Sequence, residues 1–513
     1  MPNSSVTGTD AAGALSSQNS FIERWFKISQ RRSSISREVR GGLVTFFAMA
    51  YIIALNPIII GTAADRDGNL ISGASKFTDA AMTVVDGAAV SASIGMVAAV
   101  TALAAGVMTL LMGIVGRFPI GIAAGLGLNA QLAYVIAPMM TWADAMGLIV
   151  VEGIVVTLLV LTGFREAVFR AVPASLRTAI SVGLGLFIAL VGLANAGVIR
   201  SGSPLTQLGV NGSLMGWPIF VFVATFALLA FLHARKVRGA MLWSILFGTL
   251  LAVVLEHFVV LGGVGKENPT GWALNIPVLP GSDAFSLPDF SLLGRVDILG
   301  GFAPDGHATV GSVLTGVMLV FSLLLADFFD TIGTMVAVGS EGHLLDDTGE
   351  PEHLREILLV DSLGAMFGGL GSSSSNTSFI ESTAGVASGA RTGLASVVTG
   401  GLFLLSIFIT PIINVIPSEA VSPVLVLVGF MMLQQIADID WRDLEIAFPV
   451  FMTMIFQPFA YSITVGIGAG FITFVVMKLF AGKLKQVHPI MWVVAVLFIL
   501  YFVQGLLAEL LLG

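Results

Sequence analysis

The chain contains no cysteine, which excludes disulfides and thiolate metal sites and removes any sequence mark of the redox compartment. Charge is scarce as well: 11% of the 513 residues are Asp, Glu, Lys or Arg, against 56% apolar, and the mean hydropathy is +0.95. That balance fits a polytopic membrane protein and no soluble class. The formal net charge of −8 argues against nucleic acid as a partner. No signal peptide is expected in the first 40 residues, which lack the basic start, apolar core and small-residue cleavage site in that order. They carry Arg24, Lys27, Arg31, Arg32, Arg37 and Arg40 instead, so they are expected to be a cytoplasmic tail, disordered where Ser, Thr and Gly dominate before residue 20. Nothing resembles a channel filter, and the 59 glycines fit close helix approach rather than a phosphate loop.

Apolar runs long enough to cross a bilayer, roughly 20 residues each, lie near 41–62, 92–115, 119–138, 145–163, 176–198, 214–233 and 240–262. A second set lies near 310–338, 354–370, 376–389, 391–415, 419–437, 444–457 and 459–481. Seven runs in each half, an odd number, would invert the second half relative to the first. The expected organisation is therefore a cytoplasmic disordered tail over 1–40, a seven-helix repeat over 41–262, an extracellular connection rich in Gly, Pro and Asp over 263–309, and a second seven-helix repeat over 310–481. Residues 482–513 form a C-terminal hydrophobic helix whose apolar run, 488–511, is either a fifteenth span or a helix packed on the bundle.

Loop charges agree with this topology. Arg117, Arg165, Arg170, Arg177, Arg235, Lys236, Arg238, Lys478, Lys483 and Lys485 fall inside, against Arg66, Lys76, Arg200, Lys266 and Arg295 outside. Weak self-similarity supports a repeat: the spacing from Pro173 through Gly185 to Asn195 resembles that from Pro417 through Gly429 to Asp438, identical from proline to glycine and one residue shorter beyond it. The third and tenth segments are both interrupted by helix-breaking residues, one at Phe118-Pro-Ile-Gly-Ile-Ala-Ala-Gly-Leu-Gly-Leu-Asn-Ala130 and the other at Gly371-Ser-Ser-Ser-Ser-Asn-Thr-Ser-Phe-Ile-Glu381. Paired interruptions at matching positions point to the binding site of an inverted-repeat transporter, because non-helical backbone at membrane depth survives only where protein buries it or a polar cavity hydrates it.

Four ordered motifs carry a family resemblance. They are Gly42-Leu-Val-Thr-Phe-Phe-Ala-Met-Ala-Tyr-Ile-Ile-Ala-Leu-Asn-Pro57, Gly125-Leu-Gly-Leu-Asn-Ala130, Asp327-Phe-Phe-Asp-Thr-Ile-Gly-Thr-Met335 and Ile380-Glu-Ser-Thr-Ala-Gly-Val-Ala-Ser-Gly-Ala-Arg-Thr-Gly393. With Ile439-Asp-Trp-Arg-Asp443 and Gln457-Pro-Phe-Ala-Tyr-Ser462, they resemble the AzgA-like purine permeases of the nucleobase–cation symporter 2 superfamily, over about residues 38 to 485. The resemblance implies an all-α polytopic membrane protein with fourteen transmembrane segments in two inverted repeats. Helices 1–4 and 8–11 would form a core, and helices 5–7 and 12–14 a gate. It also implies proton-coupled uptake of adenine, guanine or hypoxanthine.

Individual residues gain their roles from chemistry and place. Asp330 lies inside an apolar run, where an unpaired carboxylate costs about 3 kcal/mol or more and is functional by default. Asp327, one turn earlier, shares nearly the same face, and the resemblance favours Asp330 over it. Glu381 closes the Ser-rich interruption. Ser378-Phe-Ile-Glu381 has capping-box spacing, yet a helix start at mid-membrane also suits a carboxylate that meets a ligand. Asn129, at the matching place of the first repeat, can donate and accept. Thr334 lies one turn beyond Asp330, and Phe329 and Phe379 flank the two acids, where they can stack on a flat base or simply pack. The family usually has an aromatic residue two positions after the amide, whereas this chain has Gln131, whose extra amide is expected to contact the base and change which purine edges are read. Glu152, Asp361 and Asn56 read as interhelical hydrogen-bonding groups.

The expected function is thus proton-coupled purine uptake across the cell membrane by an elevator-type motion. Glu381 would hold the base and Asp330 the proton, with no catalytic residue, no metal and no cofactor beyond the proton. Expected partners are a purine base, membrane lipid and a second copy of the chain. The alternatives are a symporter of uracil or xanthine, or a Mg²⁺-dependent intramembrane prenyltransferase built on Asp327-x-x-Asp330 with Asp346 and Asp347.

Overall fold

The computed structural model describes residues 21–79, 84–162, 172–202, 205–237, 239–265, 268–279, 287–346 and 350–512. Residues 1–20 of the expected tail, with Arg165, Arg170, Arg238, Lys266 and Asp347, lie outside the described residues.

The helices run in chain order as α1 (Phe21–Phe26), α2 (Ile35–Met49), α3 (Ile52–Thr62), α4 (Gly87–Leu111), α5 (Leu126–Gln131), α6 (Trp142–Thr162), α7 (Ala174–Asn195), α8 (Trp217–Ala234) and α9 (Ala240–Val259). The second half holds α10 (Val310–Gly342), α11 (Leu354–Leu370), α12 (Ser382–Ala387), α13 (Gly393–Ser406), α14 (Ser418–Leu433), α15 (Leu444–Phe459), α16 (Ile463–Phe480) and α17 (Pro489–Leu512). Among the described residues, 9 helices or joined helices are long and apolar enough to cross a membrane. Polar side chains mark several starts. Ser34 caps α2, Asp86 caps α4, and Thr309 with Ser312 makes a reciprocal capping box on α10.

The architecture departs from all-α at two places. β1 (Ile122–Ala124) pairs antiparallel with β4 (Asn376–Ser378), with Ile122 opposite Ser378 and Ala124 opposite Asn376. β2 (Ile199–Ser201) and β3 (Thr206–Leu208) form a small hairpin after α7. The first pair joins the two interrupted segments: β1 leads into α5, and β4 precedes α12. Each strand supplies hydrogen-bonding partners that the other's buried backbone lacks. Thr109 adds a side-chain clamp, donating to Ile122 O at 2.8 Å and accepting from Ile122 N at 2.9 Å.

The segments matched by their proline and glycine spacing touch one another. α7 and α14 cross at Gly185 and Gly429, where a Cβ on Gly429 would lie 2.4 Å from Gly185 O. Any side chain there would force the helices apart.

Residues 21–40 correct the expectation of an unstructured tail. α1 and the turn after it are ordered against the bundle: the Trp25 indole donates to Ile114 O at 3.1 Å, and the Arg117 guanidinium lies 4.3 Å from the Trp25 ring centre. Lys27 and Arg31 both bind Glu352. The cations of this segment meet a carboxylate and the carbonyls of Arg117 and Arg391.

The 263–309 connection is tied down at both ends. The Trp272 indole donates to Glu256 at 2.8 Å and Ala273 N to Glu419 at 2.9 Å, while Gly294 N donates to Leu370 O and Asp297 N to Ala143 O. α17 packs on the bundle through Phe498, whose ring sits 6.1 Å from both Phe321 of α10 and Phe471 of α16.

Candidate functional site

The break between α2 and α3 exposes Tyr51 to the interior of the bundle, and the break after β4 brings Phe379, Ile380 and Glu381 to the same place. Between them and α7 lies a cavity of about 630 Å³. Tyr51, Phe329, Asp330, Thr334, Phe379 and Glu381 line it on one side, and Arg177, Ser181, Leu184 and Gln435 on the other. Gly127 also lines it, and a Cβ there would lie 2.4 Å from Leu184, so the small residue sets the width of the cleft.

The Tyr51 hydroxyl donates to Glu381 Oε1 at 2.6 Å, and the Tyr51 and Phe379 rings lie 6.5 Å apart. Glu381 occupies the N-cap position of α12 in αR geometry and makes no side-chain cap bond. The capping box suggested by Ser378-x-x-Glu381 is therefore not formed. Ser378 belongs to β4 and gives both its N–H and its hydroxyl to Asp361 Oδ1, at 3.1 and 2.8 Å. Asp361 accepts a further bond of 2.6 Å from Thr331, whose hydroxyl meets Thr377 at 2.9 Å. Asp361 is thus a structural anchor for the strand crossing. Asn56 acts similarly, donating to Thr101 Oγ1 at 2.8 Å and to Ser373 O at 3.0 Å.

The two acids of Asp327-x-x-Asp330 part company. Asp330 faces the cavity. Asp327 is fully buried behind its wall, in the neighbourhood of Thr377, Asp361 and Glu152. A separation of three residues is 60° short of a full helical turn, enough to turn one carboxylate to the cleft and the other to the strand crossing.

Asn129 and Gln131 do not line the cavity. Asn129 is fully buried on α5, and neither polar atom of its amide has a hydrogen-bond partner among the described residues. Gln131 corrects the expectation of a base-reading amide: its Nε2 donates to Ser322 at 3.0 Å and to Thr464 at 3.3 Å, on the far side of α5. Sequence reading missed Tyr51, Arg177, Ser181 and Gln435. For Tyr51 a signal existed, since the chain has 4 tyrosines and this one interrupts an apolar run within a recognised motif. Arg177 and Gln435 sit at helix ends, where polar residues are ordinary, and a single serine inside α7 such as Ser181 carries no distinguishing mark.

The arrangement offers carboxylate acceptors at Asp330 and Glu381, a phenol, a hydroxyl and aromatic faces around a narrow cleft. A planar molecule with N–H donors on its edge meets every one of these demands.

Comparison with known families then decides the kinship. The Permease family profile (Xan_ur_permease) matches residues 36–473. The chain belongs to that family. Its relatives place it with the AzgA-like purine permeases: the permease is 34% identical over 486 residues to the guanine/hypoxanthine permease PbuG of Bacillus subtilis, covering 94% of this chain and 99% of that one. It is also 34% identical over 484 residues to the adenine permease AdeP of Escherichia coli, covering 94% and 96%. Among solved structures, the transmembrane domain of the cyanobacterial bicarbonate transporter BicA shares the fold, with a TM-score of 0.54 at 16% identity over 85% of this chain and 96% of that one. The permease is a multi-pass membrane transporter, and the prenyltransferase alternative is overturned by this membership.

Proposed function

We propose that this permease takes up a purine nucleobase (adenine, guanine or hypoxanthine) together with a proton. The observation that carries the reading is that Asp330 and Glu381, from α10 and from the start of α12, face one cavity flanked by Phe329, Phe379 and Tyr51. The purine permeases PbuG and AdeP support it by kinship. Two ionised carboxylates facing a neutral base are expensive to desolvate, so a proton loading with the base lowers the cost. Glu381 holds the base and Asp330 carries the proton. Asn129 organises the site from behind, through the half-helix whose Gly125 and Gly127 meet the cavity. No other cofactor takes part.

The proposed architecture has fourteen segments in two inverted repeats, 41–262 and 310–481, joined by an extracellular connection over 263–309. Segments 1–4 and 8–11 form a moving core, and 5–7 and 12–14 a gate. The antiparallel pairing of β1 with β4 and the crossing of α7 with α14 at Gly185 and Gly429 support this, because matched parts of two repeats meet about a common axis. The N-terminus is cytoplasmic by its basic residues. Ala174 and Gln435, lining residues of the cavity that are exposed, fall on that side, so the cavity opens there. Transport then proceeds as the core slides against the gate, in a cell membrane and as a homodimer in contact with lipid.

Uptake and competition in proteoliposomes test the reading. Adenine, guanine or hypoxanthine should compete, uracil and nucleosides should not, and uptake should rise as external pH falls and collapse with a protonophore. Competition by uracil or xanthine with no effect of these purines overturns the substrate class. A requirement for Na⁺, or indifference to the protonophore, overturns the coupling.

A further inference from the structure

From the strand crossing, residues 126–139 run away from the cavity mouth to the opposite end of the bundle, where Met140 O accepts from Arg66 N just beyond α3. Two polar side chains on this stretch reach across to other helices. Gln131 donates to Ser322 of α10 and Thr464 of α16 at 3.0 and 3.3 Å, and the two hydroxyls are 2.7 Å apart. All three residues are fully buried. One turn later, Tyr134 OH accepts from Asn195 Nδ2 at 3.0 Å, at the last residue of α7. A π-helical stretch, Leu132–Ile136, carries Tyr134 between these bridges, a geometry that recurs at functional places in helices.

The bridges join a stretch that also builds the substrate cleft to α7 and α16, both assigned to the gate. They lie on one side of the site while the cleft opens on the other. We propose that Gln131–Ser322–Thr464 and Tyr134–Asn195 form a latch that closes the outer side and favours the inward-open state. This inference rests on the two-body transport reading above. Any slide of core against gate longer than a hydrogen bond must break both bridges, so their strength sets the balance between states. The same buried bonds would also arise as plain packing pins, and the test below separates the two.

The absence of cysteine makes the test direct. Ile332→Cys places one thiol in the cavity wall beside Asp330. Labelling by a membrane-impermeant maleimide is followed in sealed vesicles of the full chain of either orientation. Gln131→Leu and Tyr134→Phe, each added to Ile332→Cys, should raise labelling from the outer side roughly fivefold apiece, the effect of one lost hydrogen bond on a two-state equilibrium. The melting temperature falls modestly in both, as one lost buried hydrogen bond requires, so outer labelling is the readout that decides. Unchanged outer labelling in both variants overturns the latch alone, provided the parent thiol is labelled from the inner side and protected by adenine. A parent thiol that is never reached from the inner side overturns the two-body reading and the latch with it. A fall in melting temperature without a rise in outer labelling makes the bridges packing pins and overturns the latch.

Discussion

Tyr51 and Glu381, 330 residues apart in the chain, are joined by a 2.6 Å hydrogen bond across the wall of the cavity. The phenol comes from the break between α2 and α3, and the carboxylate from the turn after β4. One interruption in each half of the chain thereby meets at a single acceptor.

Removing the phenol should loosen that carboxylate. A hydrogen bond to a charged group is worth about 1.5 kcal/mol at the low end, so Tyr51→Phe should weaken purine binding roughly tenfold while the ring keeps its packing. Competition binding on purified protein checks this. An unchanged affinity would show that Glu381 does not need its partner.

The acids should separate by face. Glu381→Gln and Asp330→Asn should each abolish uptake while the protein still inserts and purifies folded, because each keeps shape and removes a charged acceptor at the cavity. Asp327→Asn, behind the wall, should keep purine binding even where the transport rate falls. Loss of binding in that variant equal to the loss in Asp330→Asn would place the wrong acid in the site.

Helix crossing makes a stability prediction. Gly429→Val drives a side chain into Gly185 O, and overpacking of this kind costs about 1 to 3 kcal/mol. Gly401, with nothing within 4 Å of the added Cβ, should accept alanine without loss. Thermal unfolding in detergent measures both, and equal melting temperatures for the two variants would contradict the crossing.

The N-terminal segment predicts an acid-sensitive contact. Lys27 and Arg31 bind Glu352 and hold its carboxyl at about 2, below its ordinary 4.5. Because the folded value is the lower one, the pair's stabilisation is present in full above 4.5 and is lost as pH falls from there through about 2. The carboxylate is 50% exposed, so screening keeps the contribution under about 1 kcal/mol. At pH 8, Glu352→Gln should speed tryptic cleavage at Lys27 and Arg31. Its deficit in melting temperature should shrink below pH 4.5. A deficit that grows on acidification would mean the wrong partner was assigned.

Much of the site was legible because membrane burial makes polar residues conspicuous. Asp330 and Glu381 stood out as acids in apolar surroundings, and both face the cavity. Gln131 was equally conspicuous but turned away from the cleft, since nothing local tells which side of a short half-helix meets ligand and which meets Ser322 and Thr464. Tyr51 went unremarked although its motif was noticed, because its role depends on a partner in the other half of the chain. The order of residues 21–40 was hidden for the same reason: a basic, polar segment looks solvated until Glu352 and Ile114 O are placed beside it.

Composition and run length by themselves determined that the chain crosses a membrane repeatedly and breaks its helices near Pro119 and in the Ser-rich stretch before Glu381, since hydrophobic burial and backbone satisfaction in lipid depend on local residue type. Only the tertiary structure decided that those breaks become paired strands, that Asp330 rather than Asp327 faces the cleft, and that Tyr51 orients Glu381. Each of these depends on contacts between residues hundreds of positions apart, whose geometry comes from helix packing and not from local preference.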